Sequence, residues 1–454
     1  MPVYEAKNFR CPELLFSFAG KKAMRRVFML LCLSAAVAAG VSCNPENCEC
    51  PFQSGEETGP DGEDPGKEPE EEPEDQKKIP VFNIALASYP EGYDWLRDPD
   101  YGIIECYIKL LRDGEEVMSF AAGHSYGISA YIGRVHCTGS HVYTDYTISS
   151  ETIIGKDGKE LFRYSGNEMI EEFAADGETC IYTLGIPEDG EGWIFRKNGA
   201  IVASSSSGRI IPGFRLDGGV PVFACAEYAE YVTGTVPEYY LVRDGEMSAI
   251  SPGSPQETFY SVMSVNGTVY ALSSDPDSGK AYFHEGDDRT ELSYSGNGSI
   301  VPECLLTDGS SVYALAGVPE YGDDGPAREI LWKDGEVLVA FEESFKVLAC
   351  YPEEDRVLAV GYYGDDWGSQ FMFLDGEYLP FPENYGLAAV SAGIMTAGHY
   401  CLCLNPFEIS MPPLCILDGE IVEIDANGCF LGVGHTWEYV TDADAGHDDS
   451  SENV

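Results

Sequence analysis

The stretch Ile330–Val339, ILWKDGEVLV, decides the fold because it encodes a hairpin whose turn returns along the chain. An Asp-Gly pair between apolar, β-branched and aromatic residues is the strongest local signal for a two-residue β-hairpin. Both turn positions require φ > 0, which glycine adopts without a Cβ clash. The stretch therefore predicts two antiparallel strands joined at Asp334-Gly335.

The same hairpin turn occurs eight times, at intervals of 41 to 49 residues. Its other copies are Asp113-Gly114, Asp157-Gly158, Asn198-Gly199, Asp244-Gly245, the weaker Glu285-Gly286, Asp375-Gly376 and Asp418-Gly419. A second turn lies about twenty-five residues before the next copy, as in VNGTVYAL at 265–272 and TDGSSVYAL at 307–315. Two hairpins per period give four short strands, named A to D in chain order. This spacing is typical of a propeller blade.

The two ends of the repeat region predict a closed ring. The first period begins at its strand B, VFNIAL at 81–86, and the apolar run CFLGVG at 429–434 is left over after the last strand D. If this run supplies strand A of the first blade, both sheet edges at the seam are paired. The sequence thus predicts an all-β, eight-bladed β-propeller. A ring of seven blades, a solenoid or two stacked β-domains are the alternatives.

The repeat also resembles a known family. Val-Tyr-Ala-Leu, a variable loop and Leu-Trp-Lys-Asp-Gly follow one another within 312–335, and the pattern extends over about 80–440. It resembles the tandem repeats of uncharacterised Bacteroidetes-type surface lipoproteins, in which VYVAG alternates with YWKNG. The chain departs from that pattern in having its only Trp of this position at Trp332. The resemblance implies a surface-exposed propeller and no particular activity.

The N-terminal segment reads as an export signal. Arg25 and Arg26 precede an apolar run at 27–41, and Gly-Val-Ser-Cys at 40–43 resembles a bacterial lipobox. We therefore expect residues 1–43 to contain upstream residues and a signal peptide, with Cys43 lipidated. An ordinary secretory signal or a membrane-spanning anchor is the alternative. The expected location is the outer membrane, at the cell surface, with membrane contact through the lipid alone.

Charge and composition divide the rest of the chain. Residues 44–79 and 441–454 are acidic and poor in large apolar side chains, which predicts a disordered tether and tail around a propeller at 80–440. The whole chain has a formal charge of −50 and a pI near 4.2. Such a surface repels phosphate backbones, which excludes a nucleic-acid partner. A neutral glycan or a protein is compatible with it.

The B–C loops carry the candidate ligand-binding residues. In propellers these loops share one face with the D–A connections, and here they are long and rich in aromatic and acidic side chains. Exposed Tyr and Trp rings suit stacking on sugars or anchoring a protein partner. The candidates are Tyr93, Asp94, Trp95, Trp193, Tyr321, Asp323, Asp324, Tyr362, Tyr363, Asp365, Asp366 and Trp367. The alternative is that these loops are solvated and their aromatics pack on blade edges.

Evidence for catalysis or a cofactor is thin in the sequence. Asp323-Asp324 and Asp365-Asp366 offer oxygen ligands for Ca²⁺, but no Asp-x-Asp-x-Asp-Gly run accompanies them. The same carboxylates suit the acid and base of a glycosidase or lyase. One G-x-S-x-G match occurs, GHSYG at 123–127, but it lies within the β-repeat region and not in the strand–turn–helix context of a nucleophile elbow, and no phosphate loop is present. We therefore name no catalytic residue and no cofactor, and keep a carbohydrate-active enzyme and a structural envelope component as alternatives to a binding module.

Histidine and cysteine are assigned to structure. His141 and His399 lie at expected A–B turns, where they read as surface residues. The chain has 15 cysteines without an even, tightly spaced framework, so those of the repeat region are expected as free core residues of A and B strands. Examples are Cys180, Cys225, Cys304, Cys350, Cys401 and Cys403.

Overall fold

A computed structural model describes the repeat region with gaps at several connections. The described residues are 76–88, 107–121, 131–138, 141–148, 151–165, 168–177, 180–187, 190–227, 237–294, 299–318, 328–364, 370–381, 389–405, 412–424 and 428–441. Over these ranges no helix is long and apolar enough to cross a membrane.

The described residues form 32 strands, which we number in chain order. Blade 1 takes β1 (Gln76–Ser88), β2 (Tyr107–Arg112) and β3 (Glu115–Ala121). Blade 2 contains β4 (Tyr131–Thr138), β5 (His141–Ile148), β6 (Glu151–Lys156) and β7 (Lys159–Ser165). Blade 3 contains β8 (Glu168–Asp176), β9 (Cys180–Pro187), β10 (Trp193–Lys197) and β11 (Ala200–Ser205). Blade 4 contains β12 (Arg209–Asp217), β13 (Val220–Glu227), β14 (Glu238–Arg243) and β15 (Glu246–Ile250).

The second half of the ring repeats this arrangement. Blade 5 contains β16 (Thr258–Val265), β17 (Thr268–Asp275), β18 (Lys280–Glu285) and β19 (Asp288–Glu291). Blade 6 contains β20 (Val301–Thr307), β21 (Val312–Val318), β22 (Arg328–Lys333) and β23 (Glu336–Ala340). Blade 7 contains β24 (Phe345–Glu353), β25 (Arg356–Tyr363), β26 (Gln370–Leu374) and β27 (Glu377–Pro380). Blade 8 contains β28 (Ala389–Thr396), β29 (His399–Asn405), β30 (Leu414–Leu417) and β31 (Glu420–Glu423), and β32 (Gly428–Thr441) ends the series.

Eight four-stranded antiparallel sheets confirm the predicted eight-bladed propeller. β32 pairs with β1 from Gln76 opposite Thr441 to Ser88 opposite Gly428, so the C-terminal strand supplies strand A of blade 1 as predicted. The pairing is longer than the sequence indicated. Its strands begin four residues before the expected boundary at 80 and end one residue after 440, because the apolar pattern alone did not mark the polar residues that continue the ladder.

The hydrophobic core is divided among the gaps between blades. Eight clusters of buried residues each join two adjacent blades, and together they pass around the complete ring. Both faces of a B strand are therefore covered, which explains why all seven residues of β21 are buried. The D strands are mostly exposed, as in β11 and β19. Each A strand contacts the A strand of the next blade, so the A strands surround a central channel.

The predicted hairpin turns have the backbone that Asp-Gly favours. At Asp334 and Gly335 φ is 50° and 82°, and six of the other seven C–D turns also have positive φ at both positions, 48° to 51° at the first and 75° to 98° at the second. The exception is the weak copy, where Glu285 is the last residue of β18 and the turn is Gly286-Asp287. The turn predicted at Glu285-Gly286 was thus wrong by one residue, because only glycine there takes a positive φ.

The two faces of the ring differ in their connections. In every blade, the N–H of the first residue of the C–D turn donates to a carbonyl of strand B, for example Asp334 to Val312 at 3.2 Å. This carbonyl belongs to the first or second residue of strand B in blades 2 to 8, and to Phe82 within the longer β1 in blade 1. The A–B and C–D turns therefore lie on one side, which we call the turn face. The B–C and D–A connections lie on the opposite side, which we call the loop face.

Candidate ligand-binding face

The channel wall is shaped by a β-bulge in every A strand, counting the break in the pairing of β32 with β1. A bulge inserts a residue that has no partner in the ladder and redirects its side chain. On β16 and β20 these residues are Tyr260 and Glu303, and both are exposed although they belong to the innermost strands. Met169 and Val301 are also exposed on A strands. The A strands, which are the innermost strands of the ring, therefore expose both polar and apolar side chains.

Glu303 belongs to a pair of carboxyl groups near the loop face. Its partner is Glu329, the second residue of β22, whose side chain is 6% exposed overall. Glu329 Oε2 accepts a hydrogen bond of 2.7 Å from the N–H of Val347 in blade 7. Lys346, next to Val347, is close enough to favour the charged form of both acids. The pair thus lies between blades 6 and 7, where strands A and C begin.

Both acids hold their protons more tightly than an exposed glutamate does. Removal from bulk water raises the pKa of Glu329 to about 8, with a further contribution from the charge of Glu303. The same loss of hydration raises the pKa of Glu303 to about 7 even though its side chain borders the channel. Both shifts favour the protonated form of the pair near neutral pH. A protonated carboxyl both donates and accepts hydrogen bonds, which a carboxylate cannot do.

A second buried acid, Glu257, lies in the D–A connection before β16. Its Oε1 accepts a hydrogen bond of 2.5 Å from Ser273 Oγ and lies 2.8 Å from His284 Nε2. Its Oε2 accepts hydrogen bonds from Arg289 Nη2 at 2.8 Å and from the N–H of Ser254 at 3.1 Å. Each carboxylate oxygen is satisfied, so this cluster ties the connection to blade 5.

The residues Ser273, His284 and Glu257 do not form a catalytic triad. In a triad the serine contacts one imidazole nitrogen and the carboxylate contacts the other. Here Ser273 Oγ and Glu257 Oε1 both lie 2.8 Å from the same nitrogen, His284 Nε2. Burial lowers the pKa of His284, while Glu257 opposes that effect. We therefore assign these residues to structure.

Trp193 is placed differently from the exposed position that we expected. It is the first residue of β10 and is 0% exposed. Its indole packs edge-on against Phe223 at 5.2 Å, and its Nε1 donates to Glu227 Oε1 at 3.2 Å. The ring belongs to the core between blades 3 and 4 and has no surface left for a ligand. We expected Trp193 on a B–C loop, whereas strand C of blade 3 begins at this residue.

Tyr362 and Tyr363 end strand β25 and are also less available than we expected. Tyr362 is buried. Tyr363 is half-buried, and its hydroxyl donates to Glu342 Oε2 at 2.8 Å. Its ring packs on Phe345 and Phe371. Blade 7 stands across the ring from blade 3, so these tyrosines and Trp193 do not share a site.

The other sequence candidates fall on connections outside the described residues. They are Tyr93, Asp94, Trp95, Tyr321, Asp323, Asp324, Asp365, Asp366 and Trp367. The loop that carries Tyr321, Asp323 and Asp324 joins β21 to β22, so its end leads directly to Glu329. Glu303 and Glu329 were missed because each sits in a short apolar strand. The sequence signal that could have found them is a glutamate inside a short apolar strand, where a charged side chain is unusual.

Comparisons with known proteins add little to this geometry. No family model and no curated protein matches the chain. Among solved structures, a prolyl endopeptidase has a TM-score of 0.45 and 9% identity, over 69% of this chain and 50% of that one. Dihydro-heme d1 dehydrogenase NirN has 0.45 and 10%, over 77% and 74%. The β-propeller domain of the trilobed protease from Pyrococcus furiosus has 0.41 and 11%, over 66% and 94%.

The chain therefore spans half the length of the prolyl endopeptidase that it matches. Similarity at this level of identity concerns the arrangement of strands alone. The blade count rests on the strand pairing of the chain itself.

Proposed function

We propose that this chain is a lipid-anchored, surface-displayed binding module whose loop face holds a glycan. The Glu303–Glu329 pair is the observation that carries this function, because Glu303 is exposed on the innermost strand of blade 6 and its charge further raises the pKa of the buried Glu329 beside it. The lipid anchor at Cys43 and the surface location are expectations from the sequence, as is the resemblance to propeller lipoproteins. A protein partner at the same face is the second kind of ligand that the sequence allows.

Several features of the loop face favour a hydroxyl-rich ligand. A neutral glycan is not repelled by a chain of formal charge −50. A protonated carboxyl can donate to a sugar oxygen and accept from a sugar hydroxyl. The exposed ring of Tyr260 offers apolar contact area on the innermost strand of blade 5, and its hydroxyl lies 3.4 Å from Ser274 Oγ.

The direct test is calorimetric titration of the full chain with a panel of polysaccharides at pH 6 and pH 9. We expect a glycan to bind more tightly at pH 6, because the acid pair loses its protons as the pH rises through about 7 and about 8. Glu303→Ala should weaken binding by up to about tenfold, since a hydrogen bond between neutral groups contributes about 0.5 to 1.5 kcal/mol. Glu377→Gln, on an exposed D strand, is the matched control and should bind like the unchanged chain.

Two further variants address the loops themselves. Trp95→Ala and Trp367→Ala are expected to lose glycan binding without a change in melting temperature. Equal binding by Glu303→Ala and by both tryptophan variants would refute a glycan site at this face. The anchor is tested separately: Cys43→Ser should abolish metabolic fatty-acid labelling, and labelling that persists would contradict lipidation at this residue.

The raised pKa values also favour a second function, acid–base catalysis on a glycan. A lyase or hydrolase uses carboxyl groups as general acid and general base, and these work best when their pKa values lie near the working pH. Product analysis of every glycan that binds separates the two functions. Release of shorter sugars that is lost in Glu303→Gln and in Glu329→Gln would establish an enzyme. Binding without product would establish the binding module.

A further inference from the structure

Three cysteines of blade 8 meet in the core beside the seam of the ring. Cys401 and Cys403 are alternate residues of β29 and so point to the same side of the sheet. Cys415 on β30 is the register partner of Cys403. Cys401 Sγ lies 3.8 Å from Cys403 Sγ and 3.8 Å from Cys415 Sγ. All three sulfurs are within 4.8 Å of one another.

These spacings fit metal coordination. Zinc–sulfur bonds measure about 2.3 Å, so two sulfurs on one tetrahedral metal lie about 3.8 Å apart. Two of the three pairs already have that separation, and a small side-chain rotation would complete the set. The donors are supplied by two hydrogen-bonded strands, which hold them in place without help from a loop. The cluster is therefore organised before any ligand arrives.

The surroundings select the kind of metal. Cys401, Cys403 and Cys415 are each 0% exposed. They share one apolar cluster with residues of blade 1, including Phe82, Ile84 and Phe430. Calcium and magnesium require oxygen ligands and water, which such a pocket does not offer. Three soft sulfur donors in a dry pocket favour monovalent copper, which three thiolates can hold, or zinc with a fourth ligand from outside the cluster.

We propose that Cys401, Cys403 and Cys415 form a binding site for one soft closed-shell metal cation of the zinc and monovalent copper class. The sequence assigned Cys401 and Cys403 to core packing and did not single out Cys415. We assign the site a structural role, because its three cysteines are fully buried in the core between blades 8 and 1. A bound metal links β29 to β30 in the core between blades 8 and 1, next to the blade that the pairing of β32 with β1 completes.

The test uses the full chain, purified anaerobically with a phosphine reductant. Titration with Cd²⁺ is expected to produce the ultraviolet sulfur-to-metal charge-transfer band, saturating at one equivalent per chain. Metal analysis of the protein as isolated from its cells then distinguishes zinc from copper. Bound metal should also raise the melting temperature, since only the folded state holds the three sulfurs together.

Two alanine variants supply the control. Cys415→Ala removes one ligand from the cluster and should abolish or weaken the band by at least tenfold. Cys225→Ala removes a thiol that is equally buried, on the B strand of blade 4, in a cluster between blades 3 and 4. It should leave the titration unchanged, so a loss of packing is separated from a loss of coordination.

Three results would overturn the metal site. One is the absence of any charge-transfer band in the unchanged chain. Another is a band of equal strength in Cys415→Ala. The third is a disulfide between two of the three cysteines in protein isolated without reductant, identified by alkylation and peptide mass mapping. That bond would assign the cluster to a cross-link instead.

Discussion

Asp375 and Val357 exchange two hydrogen bonds across blade 7. The N–H of Asp375 donates to the carbonyl of Val357 at 3.1 Å, and the N–H of Val357 donates to Asp375 Oδ1 at 3.0 Å. The same exchange recurs in blades 1, 2, 3 and 8, at Asp113 with Phe82, Asp157 with Val142, Asn198 with Ile181 and Asp418 with Tyr400. The aspartate thus joins the C–D turn to strand B in addition to forming the turn.

Replacing this aspartate should destabilise the fold. Asp375→Ala loses the bond to Val357 and places alanine at φ 48°, for a combined cost of about 2 kcal/mol in the free energy of unfolding. It also loses the exposed ion pair with Arg356 Nε at 2.8 Å, which contributes at most about 1 kcal/mol. Asp244→Ala should cost about 1 kcal/mol, because Asp244 faces Pro221, which has no N–H to donate. Urea unfolding of each variant measures these two losses, through the midpoint and the slope of the transition.

Asp375→Asn keeps the contact that Asn198 makes and loses only the exposed ion pair with Arg356, so it should cost at most about 1 kcal/mol. Equal losses in both alanine variants would contradict the assignment.

The fold could be predicted because its signals are local. Each Asp-Gly turn fixes a hairpin, the period fixes the blade, and the missing strand at one end matched the spare strand at the other. The positions of His141 and His399 followed as well, and each lies within hydrogen-bonding distance of the aspartate of the adjacent turn.

The site was harder to predict because it depends on contacts between strands that are distant in sequence. The pKa values of Glu303 and Glu329 are raised by the loss of hydration between blades, and no turn motif or residue spacing in the sequence predicts that loss. Trp193 looked like a loop residue until strand pairing placed it at the start of β10. Cys415 acquires its neighbours Cys401 and Cys403 only through the register of β29 with β30.

The acid pair predicts a pH dependence that Glu329→Gln should remove. The folded pKa of Glu329, about 8, lies above the ordinary value of 4.5, so the folded state holds a proton that the unfolded state releases. This stabilising contribution is complete below 4.5 and is lost as the pH rises through about 8. Glutamine keeps an acceptor for the N–H of Val347 and never acquires a charge. The variant should therefore match the unchanged chain at pH 5 and exceed its stability by about 1 kcal/mol or more at pH 9.

Thermal unfolding across that pH range measures the difference between the two proteins, which cancels the effect of the many other acids. Glu336→Gln, at an exposed position of β23, is the control and should show no such trend. A difference between Glu329→Gln and the unchanged chain that stays constant from pH 5 to pH 9 would show that Glu329 ionises normally.

The seam predicts that the ring depends on its last strand. A chain that ends at residue 427 lacks β32, which leaves the edge of β1 unpaired and uncovers the apolar cluster between blades 8 and 1. We expect this chain to aggregate or to lose its cooperative unfolding transition, because exposed strand edges and apolar patches promote association. A chain that ends at residue 441 keeps every paired residue of β32 and should melt like the full chain. Size-exclusion chromatography and calorimetry compare them; a monomeric, fully stable chain ending at 427 would show that the seam is dispensable.

The buried position of Trp193 predicts that its replacement changes stability rather than ligand binding. Trp193→Ala leaves a cavity against Phe223 and should cost about 3 to 5 kcal/mol in the free energy of unfolding. Trp193→Phe keeps most of the ring contact and loses the hydrogen bond to Glu227, whose carboxylate still accepts from Ser205 and Ser207 at 2.9 and 3.0 Å. It should therefore cost only about 1 kcal/mol. Urea unfolding gives the two values, and glycan titration of Trp193→Phe should match that of the unchanged chain. A large loss of affinity in this variant, without loss of stability, would return Trp193 to the binding site.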